Sequence, residues 1–142
     1  MKRLISLVAA LCTSQAFALG VADKNVKQDN IYTTICAHAS WAKKNRAPNS
    51  YTDRIKQEQF KAKKLKGHYK DYILDHWLSV SLGGDVMARN NLVIMTPQDD
   101  RFKNGLERRI KKQVCQKKLT LVDAQQLFLK CSSVACLKQI EK

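Results

Sequence analysis

Two places in this sequence carry side chains whose types and spacing suit hydrolytic chemistry at a charged oxygen. Asp75 and His76 are adjacent. A carboxylate can hold a hard cation, and an imidazole can take up a proton near neutral pH. Hydrolysis of a phosphodiester needs both jobs done. On a regular strand neighbouring side chains leave opposite faces. Both reach one site if the strand twists or bulges there. Further along, Asp100, Asn104 and Glu107 recur at i, i+4 and i+7, which sets three oxygen-bearing side chains on one helix face. Arg101, Lys103, Arg108, Arg109, Lys111 and Lys112 surround them. A carboxamide and carboxylates ringed by cations can hold a metal and receive a phosphate. The same spacing also suits a solvated helix face laced by Asp100–Lys103 and Glu107–Lys111 ion pairs.

The elements that must position these groups are legible from about Ser50 onward. Ser50-Tyr51-Thr52-Asp53 reads as a capping box, opening a basic helix to about Leu65 that Gly67 ends. Tyr72 to Leu82 is rich in β-branched and aromatic residues and predicts a strand carrying Asp75 and His76. Gly83-Gly84-Asp85 predicts a turn with positive φ, and it lacks the helix and lysine of a phosphate loop. Asn91 to Met95 predicts a second short strand, although Asn90-Asn91 also suits a turn. Thr96 as N-cap, Pro97 at N1 and Asp99 at N3 start a helix to about Val114. Thr120 caps another to about Lys130, and the tail after Cys136 suits a last helical turn or two. Leu19 to Ala47 has no clear period. Trp41, Trp77, Tyr51 and Phe128 suit a core better than base-stacking platforms. His38 lies near Cys36, and His68 precedes the strand, where it would be a surface residue or an assistant at the site. The fold class expected is α+β, with a small core of two short antiparallel strands plus a helix, embedded in additional helices.

Charge and cysteines bound the setting. Met1-Lys2-Arg3, an apolar run from Leu4 to Leu11 and the Ala16-Phe17-Ala18 ending read as a signal peptide over residues 1–18. The run is too short for a membrane span. Residues 19–142 then form a single domain, and losing Lys2 and Arg3 takes the formal charge from +14 to +12. Such an excess repels itself in a compact fold and suits a polyanionic partner, nucleic acid above an anionic membrane surface. Cys12 leaves with the leader, and Cys36, Cys115, Cys131 and Cys136 remain. In an oxidising compartment four thiols read as two disulfides with three possible connectivities. A Cys131–Cys136 bridge requires a turn between them. A Cys36–Cys115 bridge would then tie the N-terminal segment to the C-terminal half. No closely spaced Cys/His set suits zinc.

The stretch YILDHWLSVSLGG…NNLVIMT…RFKNGLE resembles the HNH, or ββα-metal, nuclease superfamily, and more narrowly its small exported bacterial and phage members. The shared order is a D-H strand, an L-x-L-G-G turn, an N-L strand and a K-[ND]-x-x-E helix. Upstream, Ser50-Tyr51-Thr52 with Ile55-Lys56 matches, and downstream Val114-Cys115, Thr120-Leu121 and Ala124-Gln125 do. The likeness covers roughly Pro48 to Leu127. It departs at Ser79-Val80 and Val93-Ile94, where relatives carry Pro or Ser then Leu, and Trp-Pro. Chemical positions are untouched. The resemblance implies His76 as the general base that activates water and Asn91 as the brace of the loop carrying it. It implies Asp75 and Asn104 as ligands of one divalent ion, Mg²⁺ first, with Mn²⁺, Zn²⁺ and Ni²⁺ as alternatives. Arg101, Lys103, Arg108, Arg109, Lys111 and Lys112 would then hold the phosphate backbone. The expectation is a secreted or periplasmic, monomeric endonuclease with little sequence specificity, acting on DNA rather than RNA and open to control by an inhibitor protein. The rival expectation is a non-catalytic basic module that binds nucleic acid.

Overall fold

The structure, a computed structural model, describes residues 20–37 and 41–141. The expected leader and His38 lie outside the described residues. The described chain holds a two-stranded antiparallel sheet and α-helices, an α+β fold. In chain order these are α1 (Trp41–Lys44), α2 (Asn49–Ala62), β1 (Ile73–His76), β2 (Leu92–Met95), α3 (Pro97–Cys115), α4 (Leu121–Leu129) and α5 (Val134–Ile140). No described helix is long and apolar enough to cross a membrane.

The sheet is shorter than the composition of residues 72–82 predicts. Asp75 pairs with Val93 and His76 with Leu92, and pairing stops there. The reason is a side chain that competes with the ladder. Asn91 Oδ1 accepts from the Leu78 N–H at 2.8 Å, and Asn91 Nδ2 donates to the Leu78 carbonyl at 3.0 Å. The backbone that would continue β1 is thus satisfied by one carboxamide and turns into a 3₁₀ segment at Val80–Leu82. The outer edge of β2 is covered in the same manner. Gln59 of α2 donates to the Leu92 carbonyl at 2.6 Å and accepts from the Ile94 N–H at 2.8 Å. An unpaired strand edge invites association, and this side chain closes part of it.

Helix α3 begins as its sequence dictates. Thr96 Oγ1 accepts from the Asp99 N–H at 3.2 Å, and Pro97 occupies the first turn, where its missing N–H costs nothing. Helix α2 does not use the expected capping box. It starts earlier, with Pro48 as N-cap and no side-chain cap, and it ends at Ala62, ahead of Gly67. Lys64 has φ 50° in the turn that follows.

The core forms where α3, α4 and α5 meet the β1 end and the segment before α1. Ile31, Ile35, Leu78, Leu82, Val114, Phe128 and Leu137 are buried there, with Trp77 donating from Nε1 to the Phe128 carbonyl at 2.9 Å. The region without clear period, 20–37, docks through backbone bonds onto the glycine turn, Asp23 N–H to Gly83 and Asp85 N–H to Val21. Gly83 has the expected positive φ of 80°, whereas Gly84 is needed for closeness: a Cβ there would lie 1.9 Å from the Leu78 carbonyl oxygen. Cys36–Cys115 and Cys131–Cys136 are bonded. The break between α4 and α5 supplies the turn the second bridge requires.

Candidate active site

Asp75, His76 and Asn104 line one open cleft of roughly 420 Å³, together with Ser79, Thr52, Asn45, Asn49 and Arg46. β1 supplies the first two from its last two positions, α3 supplies Asn104, and the α1–α2 segment lines the rest of the cleft together with Ser79 and Val80. Neighbours on a strand share the cleft because they sit where β1 ends. His76 lies at the last pair, and past it the chain leaves the ladder.

The ring of His76 is held by one bond. Its Nε2 lies 3.0 Å from the Val86 carbonyl oxygen. A carbonyl can only accept, so Nε2 carries the proton and donates, and Nδ1 of the neutral ring keeps its lone pair. Asn91 fixes the loop that provides Val86. Fully buried, it bonds Leu78 through both amide atoms and donates to the Asp85 carbonyl at 3.2 Å. Its residue also receives the Trp77 N–H on the main chain, at 2.6 Å. Asn91 therefore locks both ends of the loop 78–85, two residues after His76 and immediately before Val86.

Asn104 donates from Nδ2 to Asp100 Oδ2 at 2.9 Å. Asp100 also lies close enough to Asp75 for the two carboxyl groups to feel one another's charge. Burial, and then the nearby Asp75 charge, raise the Asp100 carboxyl above the ordinary aspartate value. Asp100 belongs to the predicted helix face and joins the site. Glu107, from the same pattern, does not: it is buried on another side of α3.

Lys103 is the largest departure from expectation. Predicted to meet phosphate, it is 0% exposed. Its Nζ donates to Asp75 Oδ2 at 2.8 Å, to the His76 carbonyl at 2.8 Å and to Glu107 Oε1. One α-helical position from Asn104 turns the side chain by about 100°, enough to carry it from the cleft to the core. The surface ion pairs Asp100–Lys103 and Glu107–Lys111 do not form, and Lys103–Asp75 and Lys103–Glu107 take their place. Burial works against the ammonium, and the Glu107 and Asp75 carboxylates outweigh it, so the Lys103 pKa is raised. Burial pushes the Glu107 carboxyl up to about 7 against the pull of Lys103. One ammonium between two carboxylates does not hold both equally.

The other predicted phosphate contacts divide. Arg101 and Arg108 are exposed, three residues before and four after Asn104, on its side of the helix. Lys111 and Lys112 continue that side, with Lys111 half-buried and its pKa lowered by burial. Arg109 points elsewhere and pairs with Glu141 of the C-terminal end, beside a groove between α3, α4 and α5. His68 is exposed and stands outside the cleft.

Among the described residues no three His, Cys, Asp or Glu side chains form a ready metal cage. The oxygen donors that line the cleft include Asp75 and the Asn104 carboxamide oxygen, whose amide nitrogen is already used on the neighbouring Asp100. These are hard oxygen donors, and the two adjoining carboxylates repel one another, so the residues suit a hard divalent ion that keeps water and substrate oxygens in its shell. Lys103 occupies one oxygen of Asp75, which leaves Asp75 a one-oxygen ligand. No protein-family model matches the chain, and no curated protein or solved structure matches it.

Proposed function

We propose that this protein is an exported, metal-dependent endonuclease of the HNH type, hydrolysing the phosphodiester backbone of nucleic acid, with DNA as its main substrate. The observation that carries this reading is the state of His76. Its Nε2 is tied to the Val86 carbonyl, so Nδ1 is left as a proton acceptor in a cleft that Asp75 and Asn104 also line. In this reading Nδ1 takes a proton from water as the water oxygen attacks phosphorus. The P–O3′ bond breaks, leaving a 5′-phosphate and a 3′-oxygen that takes a proton from solvent water to become the 3′-hydroxyl. Asp75 and Asn104, with Asp100 beside them, would hold a divalent ion, Mg²⁺ first, which when bound supplies charge stabilisation at the phosphoryl and leaving oxygens. Arg101 and Arg108, on the Asn104 side of α3, would contact the backbone without reading sequence.

The two disulfides support an oxidising destination, in keeping with the leader-like residues 1–18. The net charge supports a polyanionic substrate. The test is plasmid cleavage by purified protein with Mg²⁺ and with EDTA, using wild type and His76→Ala. Cleavage that needs the metal and falls about 10²–10⁴-fold on losing the base is the expected result, with plasmid binding retained. A folded His76→Ala protein that cleaves at the wild-type rate overturns the reading. Binding without cleavage under any divalent ion would establish the non-catalytic module instead.

A further inference from the structure

One wall of the cleft comes from residues 42–52, most of which precede the Ser50-Tyr51-Thr52 element. Among the described residues that line the cleft, Arg46 alone carries a guanidinium or ammonium. It is exposed and makes no ion pair or hydrogen bond to another described residue. The surrounding polar groups are already engaged locally. Asn45 donates from Nδ2 to the Trp41 carbonyl at 2.9 Å, and Thr52 Oγ1 donates to the Asn49 carbonyl at 3.0 Å.

The wall is fixed from several sides. Trp41 packs against the core, and Tyr51 donates its hydroxyl to the Met87 carbonyl at 2.7 Å, in the loop that follows the glycine turn. Upstream, Cys36 is bonded to Cys115 at the end of α3. An arginine with no partner among the described residues, on an anchored wall of the cleft that His76 and Asp75 also line, has no evident structural task. Asp75 already has Lys103 as its counter-charge, so Arg46 is not needed to neutralise it. A phosphodiester entering the cleft carries one negative charge and gains a second as water adds. A planar guanidinium matches two phosphoryl oxygens at once.

We propose that Arg46, from the wall made by residues 42–52, contacts the scissile phosphate in the cleft it shares with Asp75, His76 and Asn104, adding to the backbone contacts of the Arg101–Arg108 side of the helix. The inference rests on the nuclease reading for the word scissile, and on the cleft geometry alone for the phosphate contact. Arg46 then does two things. It adds one backbone contact to binding, and it opposes the charge that develops during attack, where a positioned donor has most effect.

The two roles are separable by experiment. In EDTA, a 20-base-pair duplex is titrated by fluorescence anisotropy over a salt series with wild type, Arg46→Ala, Arg46→Lys and Lys24→Ala. Lys24 is an exposed cation outside the cleft. Arg46→Ala should reduce the log–log salt slope by about 0.9, the value for one lost phosphate contact. Lys24→Ala and Arg46→Lys should keep the wild-type slope. With Mg²⁺, Arg46→Ala should lower kcat by about 10²-fold, and Arg46→Lys should recover part of it. Thermal melts control for folding. A folded Arg46→Ala protein with the wild-type salt slope, or one with the wild-type kcat, overturns the proposal. If wild type cleaves nothing while Arg46→Ala still loses its slope increment, the phosphate contact stands and the nuclease reading fails.

Discussion

Lys103 and Asn104 are neighbours on α3, both polar and both drawn from one sequence motif, yet they live in different media. Asn104 lines the open cleft. Lys103 is sealed beneath it, holding Asp75, Glu107 and the His76 carbonyl. On the buried side the polar groups satisfy each other. On the cleft side Asn104 keeps an oxygen, and His76 keeps Nδ1, without a hydrogen bond to another described residue. The difference teaches how a helix can stabilise a site and serve it at the same time. Its inner charges fix Asp75 and the end of β1, and its outer groups stay available for ligand. Asp75 belongs to both sides, with one oxygen on Lys103 and the side chain 30% exposed to the cleft.

The comparison is broken most severely by removing Lys103. Lys103→Met fills similar volume but leaves the Glu107 carboxylate and one Asp75 oxygen without their cation. Losing one partner of a buried pair costs about 3–5 kcal/mol, and urea unfolding should show that loss. In the double variant Lys103→Met/Glu107→Leu the uncompensated buried carboxylate is gone, so much of the stability should return. If Lys103→Met alone unfolds at the wild-type midpoint, the inner side is not a stabilising network.

Asn104→Ala tests the other side and should do the reverse. Asn104 gives up one hydrogen bond to a half-buried aspartate, a change worth about 1 kcal/mol in stability. Cleavage should fall by about 10–100-fold, the scale seen when the support of a metal site is lost, and higher Mg²⁺ should restore part of it. Calorimetric titration with Mn²⁺ should show the weaker ion binding directly. Equal stability losses at 103 and 104 would erase the distinction.

Part of this arrangement was legible in the sequence. Thr96-Pro97 and the Asn91–Met95 run located α3 and β2 closely, because caps and short β-branched runs act locally. The cleft trio Asp75, His76 and Asn104 came from the motif order, and it is brought together. The observed disulfide pairing is one of the three the sequence left open, and the turn that a Cys131–Cys136 bridge requires is present. What was not legible depends on side chains that bond to distant backbone. Asn91 truncates β1 by taking both polar groups of Leu78, thirteen residues away, and no propensity of residues 77–82 reveals that. Gln59 covers the β2 edge from thirty-three residues away. Lys103 looked like a surface cation because its partner Asp75 lies twenty-eight residues distant. Arg46 sits in a stretch without period, and nothing in its neighbours' types announces a cleft wall.

The smallest expected effect concerns how the inner network responds to pH. Burial raises the Glu107 carboxyl to about 7, against the ordinary glutamate value of 4.5 to which unfolding returns it. Between those values the folded protein holds a proton that the unfolded chain releases. Stability from this group is therefore full below about pH 4.5 and declines as the pH rises through about 7. Glu107→Gln cannot titrate, and its amide oxygen can still accept from Lys103. Melting temperatures of wild type and variant should thus diverge with pH, wild type losing about 1–3 kcal/mol more than the variant between pH 5 and 8. The surface carboxylates titrate in both proteins and cancel in the difference. Parallel curves would mean that Glu107 stays ionised throughout. Lys103 would then hold two full carboxylates, and Asp75 would share its cation more evenly than the contrast between the two sides of α3 requires.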